Sequence, residues 1–180
     1  TDAASFEIRN GNELFFKGSS PNFEAKPSYS VSVKSTDGAL TYSQAFTVNV
    51  SDVNEAPTAI SLSANTIAEN AVIGSGIKVG TLTITDPDAS GNNNTLSLEG
   101  TDAASFEIRN GNELFFKGSS PNFEAKPSYS VSVKSTDGAL TYSQAFTVNV
   151  SDVNEAPTAI SLSANTIAEN AVIGSGIKVG

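Results

Sequence analysis

Asp86 and Asp88 stand two residues apart at the head of TDPDASGNNNT, Thr85–Thr95, followed by Ser90, Gly91 and three asparagines. Calcium takes six to eight oxygen ligands at short range, and an i, i+2 pair in an irregular loop can aim both carboxylates at one point. The opening mimics the D-x-D-x-S-G start of an EF-hand loop. Position twelve of that count is Ser97 rather than glutamate, and the flanks alternate like strands, so an EF-hand is excluded. A turn rich in Asp, Pro, Gly and Asn accounts for the same letters without any metal. Other acids fall in comparable places: Glu24 and Glu124 in PNFE, Asp37 and Asp137 in STDGA, Glu69 in IAEN, and Asp52, Asn54 and Glu55 in DVNEAP with their copies Asp152, Asn154 and Glu155. Each lies beside Gly, Pro or Asn rather than in the middle of an alternating run.

Other chemistries find little in the chain. There is no histidine or cysteine to serve as a base or a thiol nucleophile, and the serines have no base beside them. Paired carboxylates can cleave glycosidic bonds, but these are spaced for a cation and not across a cleft, so no enzyme is expected. The net charge of −9 argues against nucleic acid, which needs clustered Lys and Arg. No run approaches the ~20 apolar residues that span a bilayer, so no membrane insertion is expected. A carbohydrate-binding module is the rival reading; it would use exposed aromatics such as Phe115 or Tyr142 as stacking platforms.

The elements that must position the acids are strands. Apolar and polar residues alternate at Ile60/Leu62, Ile77/Val79, Leu82/Ile84, Leu96/Leu98, Phe106/Ile108 and Leu114/Phe116. The same holds at Tyr129/Val131/Val133 and Phe146/Val148/Val150. Period two places one face on a core and the other in water. Asn110-Gly111 between two runs predicts a tight hairpin. About seven such strands in about 100 residues predict an all-β, Greek-key β-sandwich.

Residues 1–80 recur letter for letter as 101–180, a period of 100 residues that suits one small domain. Pro57 cannot donate to a sheet ladder and favours an extended Ala56, so the boundary is placed there. The expected organisation is the C-terminal part of one repeat at 1–57, a complete repeat at 58–157, and the N-terminal strands of the next at 158–180, as a window on a longer tandem array. The two incomplete pieces are not expected to meet within one chain, whereas head-to-tail neighbours could pair them.

Taken in order, AEN, FE, TDG, DPD…N and DVNEAP resemble the calcium-binding acids of a cadherin repeat, in particular the cadherin-like repeats of bacterial surface and adhesin proteins. The resemblance covers the whole period. It implies Ca2+ at the junctions between successive sandwiches. The first junction would use Glu24, Asp52, Asn54, Glu55, Asp86, Asp88 and Asp137, with a carbonyl from Asn93. The second would use Glu69, Glu124, Asp152, Asn154 and Glu155, and lacks a following Asp pair. It further implies an extracellular or cell-surface extender of an adhesin or filament, with neighbouring repeats as partners and polysaccharide as a possible ligand. Two departures stand out, the first replacing a carboxylate by an amide and the second shortening the linker. Asn22-Phe23-Glu24 stands where the family usually has Asp-x-Glu, and Glu55-Ala56-Pro57 where it usually has Asp-Asn-x-Pro. Fewer carboxylates imply fewer or weaker ions.

Overall fold

The computed structural model describes residues 1–88 and 93–180. Two short hairpins come first: β1 (Phe6–Arg9) with β2 (Glu13–Phe16), and β3 (Ser28–Asp37) with β4 (Leu40–Asn49). Eight strands follow: β5 (Ala59–Leu62), β6 (Thr66–Ala68), β7 (Ile77–Thr85), β8 (Thr95–Glu99), β9 (Phe106–Arg109), β10 (Glu113–Phe116), β11 (Ser128–Asp137) and β12 (Leu140–Ser151). They form two four-stranded sheets, β5-β7-β10-β9 and β6-β12-β11-β8. All pairings are antiparallel except β6 on β12, which is parallel. The opening segment thus divides between the sheets, β5 in one and β6 in the other, which lifts the strand number above the expected seven.

The alternating residues meet between the sheets. Ile60, Ile67, Val79, Leu82, Phe106, Leu114, Phe116, Tyr129, Val131, Val133, Val148 and Val150 form the core. Val79 and Leu82 are three apart, which strict alternation forbids. A β-bulge reconciles them: Leu114 faces Gly80 while Phe115 faces Lys78, so Val79 is the extra residue. Asn110 and Gly111 both take positive φ (50° and 82°) between Arg109 and Glu113, the conformation that the Asn-Gly pair predicts.

The repeated letters act as an internal control on what sequence alone can do. Leu114 is fully buried and its copy Leu14 is 40% exposed. Ile60 is 5% exposed and its copy Ile160 is 97% exposed. Residues 158–180, expected as strands, form none, although 58–80 with the same sequence supply β5, β6 and the start of β7. The cause is the absence of partners: β6 needs β12, and β7 needs β10. A strand is stabilised by its cross-strand neighbours rather than by intrinsic propensity. No strand within 1–57 pairs with 158–180. In the N-terminal piece, an open cavity of about 480 Å³ lined by Ile8, Leu14, Val33 and Phe46 lies where the complete sandwich has core.

Candidate metal centre

The first junction is assembled by backbone pairing. Thr58 N donates to Thr85 O (2.8 Å), and Ala59 pairs with Thr85, so β5 starts where β7 ends. Linker residues 52–57 are thereby brought beside Asp86 and Asp88. Glu55 N donates to Asp88 Oδ2 (2.9 Å), fastening the linker to the loop after β7. At the end of β11, Thr136 pairs with Thr95, and Asn93 N donates to Asp137 Oδ1 (3.3 Å). Residues 89–92 of the acidic loop, Ser90 and Gly91 among them, lie outside the described residues.

Two groups of carboxylates result, each with one oxygen per residue inside a common 4.8 Å. One is Glu24, Asp52, Glu55 and Asp88; the other is Asp86, Asp88 and Asp137. Asp88 belongs to both and links them. Asn22 Nδ2 donates to Glu24 Oε2 (3.1 Å), so the amide at this position steadies the glutamate. Asn54 Nδ2 turns to Glu55 O (3.2 Å), within the linker itself. Asn93 sits at the rim through its backbone N–H. The third group is Glu69, Glu124, Asp152 and Glu155, at the second junction.

The first and third groups differ electrostatically. Glu69 is buried and accepts Phe123 N (2.9 Å) and Val153 N. These backbone donors hold its carboxyl below the usual value of 4.5. Asn70 Nδ2 likewise donates to Glu155 Oε1 (2.6 Å). Glu55 goes the other way. Burial comes first, then its hydrogen bond with Asp88 and the negative charges of Glu24, Asp88 and Asp52, and together they push its carboxyl up. Among the described residues, Glu55 Oε2 and Asp137 Oδ2 are buried oxygens with no hydrogen-bond partner. Such atoms are costly unless something satisfies them, and hard oxygens grouped in a loop suit a divalent cation. The donor set fits calcium at the first junction. At the second, protein donors already satisfy part of it.

Reading of the sequence overlooked Ser135 and Asn94. Ser135 is fully buried, and its Oγ donates to Asn94 Oδ1 (2.6 Å), while Asn94 Nδ2 donates to Asp86 Oδ2 (2.8 Å). The signal was present: the inward positions of β11 run Tyr129, Val131, Val133, Ser135, Asp137, turning polar as the strand leaves the core.

Phe115, the candidate sugar platform, carries the Arg109 guanidinium over its ring at 4.4 Å. No helix among the described residues is long and apolar enough to cross a membrane.

No family model matches the chain, and no curated protein matches it. Solved structures do. The protocadherin gammaB7 EC3-6 cis-dimer aligns at TM-score 0.67 and 26% identity, over 86% of this chain and 39% of that one. PcdhgB3 EC1-4 aligns at TM-score 0.69 and 26% identity, over 83% and 37%. The human desmocollin-1 ectodomain shares the fold at TM-score 0.56 and 14% identity, over 84% and 32%. This chain therefore spans under two-fifths of the length of each of these structures. With two sheets in this order and acids gathered at their ends, the eight-stranded sandwich has the fold of a cadherin-like repeat.

Proposed function

We propose that this chain is a calcium-stiffened extender segment of an extracellular adhesin or filament, of the kind carried on bacterial surfaces, organised as 1–57, 58–157 and 158–180. The observation that carries the reading is the pair of buried, partnerless oxygens, Glu55 Oε2 and Asp137 Oδ2, inside converging acidic groups. Glu24, Asp52, Asn54, Glu55, Asp86, Asp88 and Asp137 would hold calcium at the first junction, with the Asn93 carbonyl. Glu69, Glu124, Asp152, Asn154 and Glu155 would form a partial second site. Bound calcium would neutralise the repulsion between linker and loop. The chain's own part is to bring acids from two repeats and the linker between them to one place, so that neutralisation fixes the angle of the hinge. No catalytic role is assigned, because the acids sit at repeat ends and serve the junction.

Neighbouring repeats are the proposed partners. Between chains, residues 158–180 repeat the segment that supplies β6 and the start of β7, while 1–57 repeats the β10 and β12 sequences that receive them. Head-to-tail pairing follows from that complementarity. Polysaccharide recognition finds no support, since Arg109 covers the Phe115 ring.

Calorimetric titration of calcium tests the reading. Extracellular modules bind at roughly 10⁻⁴–10⁻³ M, and this chain should fall in that range or tighter. Asp88→Asn, at the residue common to both groups, should abolish or strongly weaken the binding. No heat with the native chain, or the same affinity in the variant, would sink the proposal.

A further inference from the structure

We propose that Asn94 and Ser135 are positioning residues of the cation site, a relay that runs from the sandwich core to the Asp86 carboxylate and sets its orientation. The inference rests on the calcium reading of the first junction. Ser135 occupies an inward position of β11 between Val133 and Asp137 and is fully buried. A valine there would simply continue the core. A hydroxyl in the same place is unfavourable unless it is hydrogen-bonded, so its presence needs a reason. Its Oγ donates to Asn94 Oδ1 at 2.6 Å, which fixes the amide plane and points the other end of the group outward. Asn94 Nδ2 then donates to Asp86 Oδ2 at 2.8 Å, while Asp88 N donates to Asp86 Oδ1 at 3.1 Å.

Both Asp86 oxygens are thus held, and the carboxylate cannot swing freely. Two residues beyond Ser135 on the same strand face, Asp137 is 2% exposed with Oδ2 partnerless, in the same group as Asp86 and Asp88. One strand therefore delivers both a candidate ligand and the support for its neighbour. In metal sites such outer partners orient the ligands, and losing one typically weakens binding ~10–100-fold. The same letters at Ser35 are solvent-exposed, because the N-terminal piece has no segment equivalent to 93–94 against it.

The test is calcium affinity of the full chain and of Asn94→Ala, Ser135→Ala and the double variant, with melting in metal-free buffer alongside. The native chain should bind calcium, and each single variant should weaken binding ~10-fold or more. Because Ser135 acts through Asn94, the double variant should bind no more weakly than Asn94→Ala. Affinities within twofold of native overturn the inference even if the metal-free protein melts earlier, since that is a purely structural role. Additive losses overturn the relay. A native chain that binds no calcium overturns the site reading itself, which separates the two failures. Should Ser135→Ala unfold the repeat, Asn94→Ala in the half-exposed loop carries the test alone.

Discussion

Truncating Leu114 to alanine, and separately its copy Leu14, asks one question of two sites with the same local sequence. Leu114 is fully enclosed between Gly80 and Ile108 on neighbouring strands, so its loss leaves a cavity as well as a transfer penalty. Such changes cost roughly 2–5 kcal/mol. Taking about 3 kcal/mol, and ~4–8 °C per kcal/mol for a domain of this size, Leu114→Ala should lower the melting midpoint by about 12–24 °C. Leu14 is 40% exposed and lines an open cavity, so only part of the transfer term applies, about 1 kcal/mol at most. The assay is calorimetric melting of both variants in metal-free buffer. Equal shifts, or a Leu114→Ala loss below about 1 kcal/mol, would refute the claim that tertiary partners separate the two copies.

Other expectations follow from specific contacts. A Cβ on Gly118 would lie 2.7 Å from Phe116 Cζ, and that ring is wedged edge-to-face against Phe106 (5.4 Å) and Tyr129 (4.7 Å). Gly118→Ala should therefore cost about 1–3 kcal/mol in a urea melt; a neutral result would mean that the ring can move. The lowered Glu69 carboxyl stabilises the fold fully above 4.5 and loses that contribution as pH falls through its depressed folded value. Glu69→Gln should therefore flatten the acid limb of the stability curve. Glu55, raised, has the opposite sign: without metal its contribution is present below 4.5 and lost as pH rises through its elevated folded value. Glu55→Gln should remove that decline while weakening calcium binding; an unchanged metal-free pH profile would contradict the charge crowding. Sedimentation should detect concentration-dependent association that is lost on truncation after 157; a strictly monomeric chain would exclude head-to-tail pairing.

Period-two alternation was enough to locate the core, because a half-buried strand must alternate wherever it occurs. Val131, Val133 and Val148 are fully buried as that pattern requires. It placed Val79 and Leu82 in the core but not the bulge that joins their two runs out of phase, because a bulge is a property of two strands rather than one. Alternation was not enough at 158–180 for a related reason: the residues carry the right pattern, but no strand equivalent to β10 or β12 lies against them. The acids were visible as residue types at strand ends. Their division into groups, with Asp88 shared, depends on which loops the pairing of β5 on β7 and β8 on β11 brings together. Ser135 was legible only as a polar residue on an apolar stripe, and its use emerges once Asn94 is seen beside it.

Small-angle scattering of a chain carrying several complete 100-residue periods, with calcium and with chelator, bears most directly on the stiffening of the junction. With calcium the particle should give a long, well-defined maximum dimension and rod-like intensity. With chelator the hinges around Glu55 and its copies should loosen, and the profile should shift to that of flexibly linked beads. An unchanged profile in a chain shown to have bound and released calcium would contradict the account.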